Sequence, residues 1–514
     1  MVTTVERERK FSGTEGFRLP DLTGCGDVVT VSDVTVLELD ATYLDTDDLR
    51  LARSGFALRR RSGGHDAGWH LKVGAAGGDR TEYQVPAGTP DDGPPAELVA
   101  RYRAAARGRP VAPAARVSTV RHERRLLDAA GRVLAEVAED TVEARDLVTG
   151  ERQRWQEIEV ELVDGDDALL DAVARRLRRA GARPVPGSKS HRALAARLAA
   201  ARTAAAPGTG DAGPRRRRDR RGAGAGGTAV LGYLAAQRDT VVAHHPAARE
   251  GDYDAVHDMR VAIRRLRSTL RTFRGLWERR ESEQVRAELG GLGRKLGAVR
   301  DVQVMAARLT DAVHAEPAEL VPGPVAARIT AHFAAEEAAA VAELRAALDG
   351  EHWTGLLVRL DALVEEQPVR RAGRRWVLRR VHRAVRRADD RLDRAMGNGR
   401  GGTADDPALH EARKAYKRAR YAVEVVEPTV GDPAADLVRR FKRLQNLLGA
   451  HQDSVPTREA LRRVALRAYA DGENTFSYGL LYARQATTAD RELDGLDQAR
   501  DRSRRGRVRR WLEP

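Results

Sequence analysis

WQEIEVEL, residues 155–162, puts Glu157, Glu159 and Glu161 on one face of an extended chain and Ile158, Val160 and Leu162 on the other. Three like charges along one strand face repel, so the pattern calls for a cation or an arginine facing them. The same two-sided alternation recurs upstream. Glu6, Glu8 and Lys10 share a side, as do Arg59 and Arg61, His70 and Lys72, and Arg80 and Glu82. Arg121, Glu123 and Arg125 form a further set, and Glu136 and Asp140 another. Seven strands thus carry both charge signs on one face and mostly apolar residues on the other. One reading is a sheet with a solvated charged face packed on a helix. The other is a sheet closed into a barrel, whose charged interior makes a wet tunnel.

The chain around these strands has 514 residues, enough for two or three domains. Charged residues make up 32% and aromatic residues 4%, so packing rests on Leu, Val and Ala beneath a charged surface. The single cysteine, Cys25, excludes a disulfide framework and a cysteine-rich zinc site. The opening MVTTVERERK has no apolar run, and no stretch approaches the length needed to span a membrane. These features predict a cytoplasmic protein without a membrane partner. Lys+Arg number 28 against 32 Asp+Glu over residues 1–186, 10 against 2 over 187–227, and 52 against 41 over 228–514. The basic C-terminal part calls for a polyanionic partner.

Residues 1–186 read as strands separated by Gly, Pro and Asp turns, with a helix over Leu169–Ala180 and a short one around His191–Ala201. The Ala/Gly/Pro tract with its Arg215–Arg218 run reads as a flexible basic linker. From about Thr228 the period changes to 3.6, which predicts an all-helical domain. That half repeats itself: HDMRVAIRRLR from His257 aligns with HEARKAYKRAR from His410 at an offset of 153. Leu296–Asp301 aligns with Leu448–Asp453 at an offset of 152, so two bundle halves related by pseudo-symmetry are expected. In each half an apolar seam runs beside a basic stripe. His257, Arg260, Arg264 and Arg267 form one stripe; His410, Arg413, Lys417 and Arg420 form the other. A column of like charges is unfavourable on an isolated helix. Its recurrence in both halves favours an anion groove over a merely solvated face. The Arg-dense stretch Arg370–Arg387 matches no motif and reads as solvated.

The N-terminal motifs resemble the CYTH family, the triphosphate tunnel metalloenzymes. The likeness rests on ERERK (Glu6–Lys10), FALRRRSGG (Phe56–Gly64), WHLK (Trp69–Lys72), RTEYQVP (Arg80–Pro86) and WQEIEVEL (Trp155–Leu162). The repeat with its paired histidines resembles the CHAD domain. Together they imply an α+β multidomain chain: an antiparallel eight-stranded β-tunnel over residues 1–200, a linker over 201–227 and an all-α helical bundle with an internal two-fold repeat over 228–510. By resemblance, Glu6, Glu8 and Lys10 form the catalytic signature. Glu6, Glu8, Glu157 and Glu159 would hold Mg²⁺ or Mn²⁺, with Glu136 and Asp140 as further metal or water-positioning groups. Lys10, Arg59, Arg61, Lys72 and Arg121 would hold a triphosphate. His257, Arg260, Arg264, Arg267, His410, Arg413, Lys417 and Arg420 would contact polyphosphate, which the family binds and which can place a protein on polyphosphate granules. The implied activity is hydrolysis of inorganic triphosphate or of a triphosphate-bearing compound. The alternatives are a non-catalytic polyphosphate-binding protein, and a class IV-type adenylate cyclase or thiamine triphosphatase-like enzyme, as in other relatives. A nucleic-acid partner is disfavoured, because neither stacking platforms nor a groove-reading motif is present. The sequence carries no signal for oligomeric state.

Overall fold

A computed structural model describes the chain except residues 14–15, 75–79, 87, 89–92, 206–222, 367–368, 398–406, 492–494 and 513–514. For residues 202–205, 366, 397, 450–456 and 486–491 it describes the backbone alone. The centre of the expected linker, the Arg215–Arg218 run included, lies outside the described residues, as do the side chains of His451–Asp453 in the repeat. The chain divides into two compact units, Met1–Asp211 and Ala212–Pro514.

The first unit is one antiparallel sheet. Its strands are β1 (Val2–Glu6), β2 (Glu8–Ser12), β3 (Thr30–Val31), β4 (Thr35–Asp45), β5 (Phe56–Ser62), β6 (Gly68–Gly74), β7 (Arg80–Pro86), β8 (Ala112–Leu127), β9 (Val133–Asp146), β10 (Arg152–Leu162) and β11 (Arg183–Pro184). They run in the order β1-β7-β6-β5-β4-β8-β9-β10-β2-β11, with β3 beside β8. β1, at one end of that order, and β2, next to β11 at the other, are the two halves of one extended segment, interrupted only at Arg7, whose carbonyl accepts the Leu162 N–H at 3.0 Å. β1 pairs with β7, Glu6 opposite Arg80, and β2 pairs with β10, Lys10 opposite Glu159. The N-terminal segment therefore closes the ring, and with β4 to β10 it makes eight extended segments.

Alternation decides what each face meets. The outer residues Phe11, Val137, Ile158 and Val160 pack under α3 (Asp167–Arg179) through Leu170, Val173 and Leu177. Among the described residues of this unit α1 (Arg50–Arg53) and α2 (Ala96–Ala106) precede α3, and α4 (Lys189–Ala193), which runs into α5 (Ala195–Ala205), follows it. The strand-only reading missed α2. Its Ala-rich turns follow Pro95, and it buries Leu98 and Tyr102, with Arg101 over the Tyr83 ring of β7. The inward face is not charged throughout. Ala41, Tyr43, Val117, Val142 and Trp155 pack against Ala193, Leu194 and Leu198 of α4 and α5. The barrel thus has an apolar stopper in addition to its charged interior.

The second unit is helical. Its elements include α6 (Gly224–Arg249), α7 (Tyr253–Thr272), α8 (Arg279–His314), α9 (Val325–Asp349), α10 (Glu351–Asp361), α11 (Arg374–Gly397), α12 (Pro407–Val430), α13 (Asp432–Ala470), α14 (Phe476–Arg491) and α15 (Leu496–Arg504). Asp252 caps α7 by accepting from the Ala255 N–H. The first seam, Val256, Met259, Ile263, Leu266, Leu270 and Phe273, is wholly buried on α7 and just past its end, and the α12 seam from Leu409 to Val426 is buried likewise. No described helix is long and apolar enough to cross a membrane.

Candidate active site

The inward charged residues surround a cavity of about 730 Å³. Carboxylate oxygens of Asp140 (β9), Glu157 and Glu159 (β10) all lie within 4.8 Å of one another, and of the three Glu159 lines the cavity. The register explains this: Glu157 stands opposite Asp140, and Asp140 opposite Arg121. Arg121 grips Asp140 with two hydrogen bonds of 2.8 Å and donates to Glu159 at 2.5 Å. Lys10 donates to Glu159 and lies 3.0 Å from Glu8. The Lys189 ammonium sits at the centre of the cluster, 2.8 Å from Asp140, 2.6 Å from Glu157 and 2.9 Å from Glu159. Burial alone would raise the Glu159 carboxyl, but Lys10, Lys189 and Arg121 hold it well below the usual carboxylate range. Burial likewise opposes the charge on Lys189, yet the three carboxylates hold its ammonium above the ordinary lysine value.

Sequence reasoning missed Lys189. It follows Gly187 (φ 98°) and opens α4, where the Ser188 hydroxyl accepts from the His191 N–H. A strand period says which residues face inward, but not which later helix enters the barrel. The Gly-Ser-Lys-Ser turn after the last strands was the available signal.

The donor set fits a hard divalent cation. Three carboxylates converge, and Mg²⁺ takes carboxylate oxygens together with substrate phosphates. Buried Glu157 Oε1 has no hydrogen bond of proper geometry, only the charge of Lys189 beside it. Of the six carboxylates expected as ligands, Asp140, Glu157 and Glu159 are brought together, whereas Glu6, Glu8 and Glu136 lie outside that cluster and face other cations. Glu6 accepts from Lys72 at 2.8 and 2.7 Å, Glu8 from Arg80 at 2.9 Å, and Glu136 lies 3.2 Å from Arg125.

Of the five expected triphosphate ligands, Lys10 and Arg121 belong to this carboxylate cluster, and Arg59, Arg61 and Lys72 stand on β5 and β6. Arg59 lies 3.4 Å from the Tyr43 hydroxyl and 3.7 Å from Glu82, and Lys72 also lies 3.7 Å from Glu82. Arg61 pairs with Asp66, and burial together with Arg59 pushes its guanidinium down. Glu82 was noted in the sequence only as a face neighbour. Here it is tied by His70, whose Nδ1 is 2.9 Å from its carboxylate and whose Nε2 is 2.8 Å from the Asp66 carbonyl. The Asp66 carbonyl and an ionised Glu82 carboxylate both only accept, so the two compete for the ring's N–H. Burial lowers the His70 imidazole to about 4, with Glu82 opposing the shift.

In the helical unit the basic stripes rest on glycines. A Cβ at Gly290 would meet Arg267 Nη2 at 3.2 Å, one at Gly297 would meet Arg260 Nη2 at 3.6 Å, and one at Gly449 would meet Arg413 Nη2 at 2.7 Å. Gly297 and Gly449 are equivalent in the repeat, as are Arg260 and Arg413. Arg260 pairs with Asp301 at 3.0 Å and Arg420 with Glu424 at 3.5 Å. Among the described residues Arg264 and Arg267 have no carboxylate within 4.0 Å, and the Nε of each is buried without an acceptor. Burial lowers Arg264, and neighbouring Arg260 and Arg420 add to the shift, so arginines of the two halves converge. Burial and Arg300 hold His257 below its ordinary value. His410 and Lys417 lie half-buried on α12.

Comparison with known proteins follows this division. The CYTH domain model matches residues 4–191 and the CHAD domain model residues 232–462. Uncharacterized protein MT2285 of Mycobacterium tuberculosis is 37% identical over 519 residues, covering 96% of this chain and 95% of that protein. Among solved structures, PptA from Streptomyces chartreusis is 21% identical with a TM-score of 0.43, covering 53% of this chain and 98% of that one. The CHAD domain from the plant Ricinus communis is 22% identical with a TM-score of 0.42, covering 55% and 93%.

Proposed function

Because the chain belongs to the family that joins a CYTH domain to a CHAD domain, we propose that its barrel hydrolyses inorganic triphosphate, or a compound ending in a triphosphate, and that its helical unit binds polyphosphate. Members of the CYTH family act on triphosphates and depend on a metal. The observation that carries the reading is a cluster of three carboxylates, Asp140, Glu157 and Glu159, whose Glu159 lines the same cavity as Arg59, Arg61 and Lys72.

Asp140, Glu157 and Glu159 would hold Mg²⁺ or Mn²⁺, with Glu6, Glu8 and Glu136 as further carboxylates of the same tunnel. Bound there, the metal would polarise the phosphoryl group and offset its charge. The chain's own residues supply the rest. Arg59, Arg61 and Arg121 can each grip two phosphate oxygens, and Lys10 and Lys72 add point charges. Such positioning and charge compensation are what phosphoryl transfer requires of a protein. The apolar stopper of Leu194, Leu198 and Trp155 limits water beside the site, which strengthens each electrostatic contact. In the helical unit, Arg264 and Arg267, which have no carboxylate beside them among the described residues, would take phosphate.

Phosphate release from tripolyphosphate, with and without Mg²⁺ or Mn²⁺, tests the enzyme reading. A Glu6→Ala, Glu8→Ala variant is expected to lose on the order of 100-fold or more, as removal of electrostatic groups commonly does. Equal rates in variant and wild type would refute the assignment. Tight polyphosphate binding without turnover of any triphosphate would leave a binding protein.

A further inference from the structure

The arginine-dense stretch that the sequence left as a solvated face is, in the structure, a surface of unanswered charge. Between Arg374 and Arg387, α11 carries seven arginines and no Asp or Glu. Among the described residues none of the seven has a carboxylate within 4.0 Å. The last third of the same helix behaves differently. There Arg391 pairs with Glu411, and Asp389 and Asp393 are held by Arg509 and Arg504. The helix cannot rotate to dilute its basic face, because Val377, Val381 and Val385 are buried on the opposite side.

Two neighbouring helices add to this face. Arg380 lies 4.9 Å from the Trp376 ring centroid, and its Nη2 would be 3.5 Å from a Cβ at Gly275, in the turn just after α7. Arg271 and Arg274, at the C-terminal end of α7 and just beyond it, are exposed there. Burial lowers the Arg380 guanidinium, and Arg383, Arg274 and Arg387 reinforce the shift. Burial also lowers Arg418 of α12, with Arg271, Arg391 and Arg387 among its charged neighbours. Like charges at i, i+4 are unfavourable on one helix, and here three helices bring them together. The surface also continues the groove. Arg264, Arg267 and Arg271 follow one another at a 3-4 spacing on one side of α7, and Arg274 lies just beyond its end. The first two belong to the groove and the last two to this face.

We propose that the arginine face of α11, with Arg271, Arg274 and Arg418, is a second polyphosphate-binding segment that takes the part of a long chain overrunning the groove. This rests on the reading of the groove given above. Arg374 to Arg387 add about 20 Å of basic surface at 1.5 Å per residue, so the gain belongs to long chains and not to short ones. Linear polyphosphate suits the face better than single-stranded nucleic acid. The Trp376 ring on this helix is covered by Arg380 and packed on Phe273 at 6.3 Å, so it is not open for a base to stack on.

The test is a titration of the full-length chain with short-chain polyphosphate, long-chain polyphosphate and single-stranded DNA at equal phosphate, over a range of salt. A Glu6→Ala, Glu8→Ala background keeps the tunnel from cutting the polymer. Added Arg380→Gln, Arg383→Gln and Arg387→Gln changes should weaken long-chain binding about tenfold or more at low salt. They should also flatten its salt dependence by about two to three phosphate contacts and leave short-chain binding unchanged. Arg264→Gln with Arg267→Gln should weaken both lengths. Long-chain binding and salt slope unaltered in the triple variant, while the groove variant fails, would overturn this inference alone. Selective loss of DNA binding in the triple variant would overturn polyphosphate as the occupant. If wild type bound no long-chain polyphosphate, the reading of the groove would fall, and this inference with it. Circular dichroism and the urea midpoint separate these outcomes from misfolding, since removing unpaired like charges should leave the helical unit at least as stable.

Discussion

Lys189 shows how much a single side chain carries. Its ammonium meets three buried carboxylates at 2.6 to 2.9 Å, and removing one member of such a buried charge set typically costs about 3–5 kcal/mol. Lys189→Ala should therefore destabilise the barrel by about that much in EDTA. Added Mn²⁺ should restore more stability to this variant than it adds to wild type, because the ion would supply the positive charge the side chain held. Thermal melts with and without the metal check this, and equal metal-induced shifts in both proteins would contradict it. Glu6 gives a pH dependence. Burial raises its carboxyl from 4.5 to about 7, Lys72 opposing and Glu82 and Glu161 reinforcing. A carboxyl raised on folding holds its proton more tightly in the folded state, so its contribution is full below 4.5 and is lost as pH climbs through about 7. Urea unfolding of the barrel in EDTA at pH 5 and 7.5 should show a loss on the order of 1–3 kcal/mol that Glu6→Gln abolishes. The alternation in ERERK and WQEIEVEL made the inward direction of these groups legible. It could not reveal Lys189, nor the His70–Glu82 pair, since both depend on which elements meet across the barrel.

At the scale of elements, the repeat was legible because each half keeps its apolar seam and basic stripe in step. What the sequence concealed was the bed beneath the stripe. Gly297 and Gly449 stand in the aligned LGA motifs, but only the packed helices show that each leaves room for a guanidinium from the helix beside it. Gly449→Ala therefore has two effects of opposite sign. Alanine favours the helix by about 1 kcal/mol over glycine, and the group it meets is the flexible tip of Arg413, which can move aside. Stability should stay level or rise while polyphosphate affinity falls several-fold. Denaturant unfolding and a polyphosphate titration on the same sample check both halves of the expectation. The stopper made by α4 and α5 was concealed for a related reason: its Ala-rich sequence fits a surface helix as well as one that fills a barrel end.

For the whole molecule, the two units differ in charge as well as in architecture. Residues 1–186 are slightly acidic, and the helical part strongly basic. Each unit has a core of its own, so calorimetry of the full chain is expected to resolve two transitions. Mn²⁺ with tripolyphosphate should move one and long-chain polyphosphate the other, each by mass action on the folded unit it binds. A single transition moved by both ligands would contradict this. The ring closure at Arg7 also bears on the order of events during synthesis. Residues 2–12 must pair with β7 on one side and with β10 on the other, yet Glu159 is translated nearly 150 residues after Lys10. Until then the N-terminal segment can hold only half of its partners. While the ribosome completes β8 to β10, the nascent chain displays an unfinished edge on which chaperones, or a neighbouring polysome product, could act.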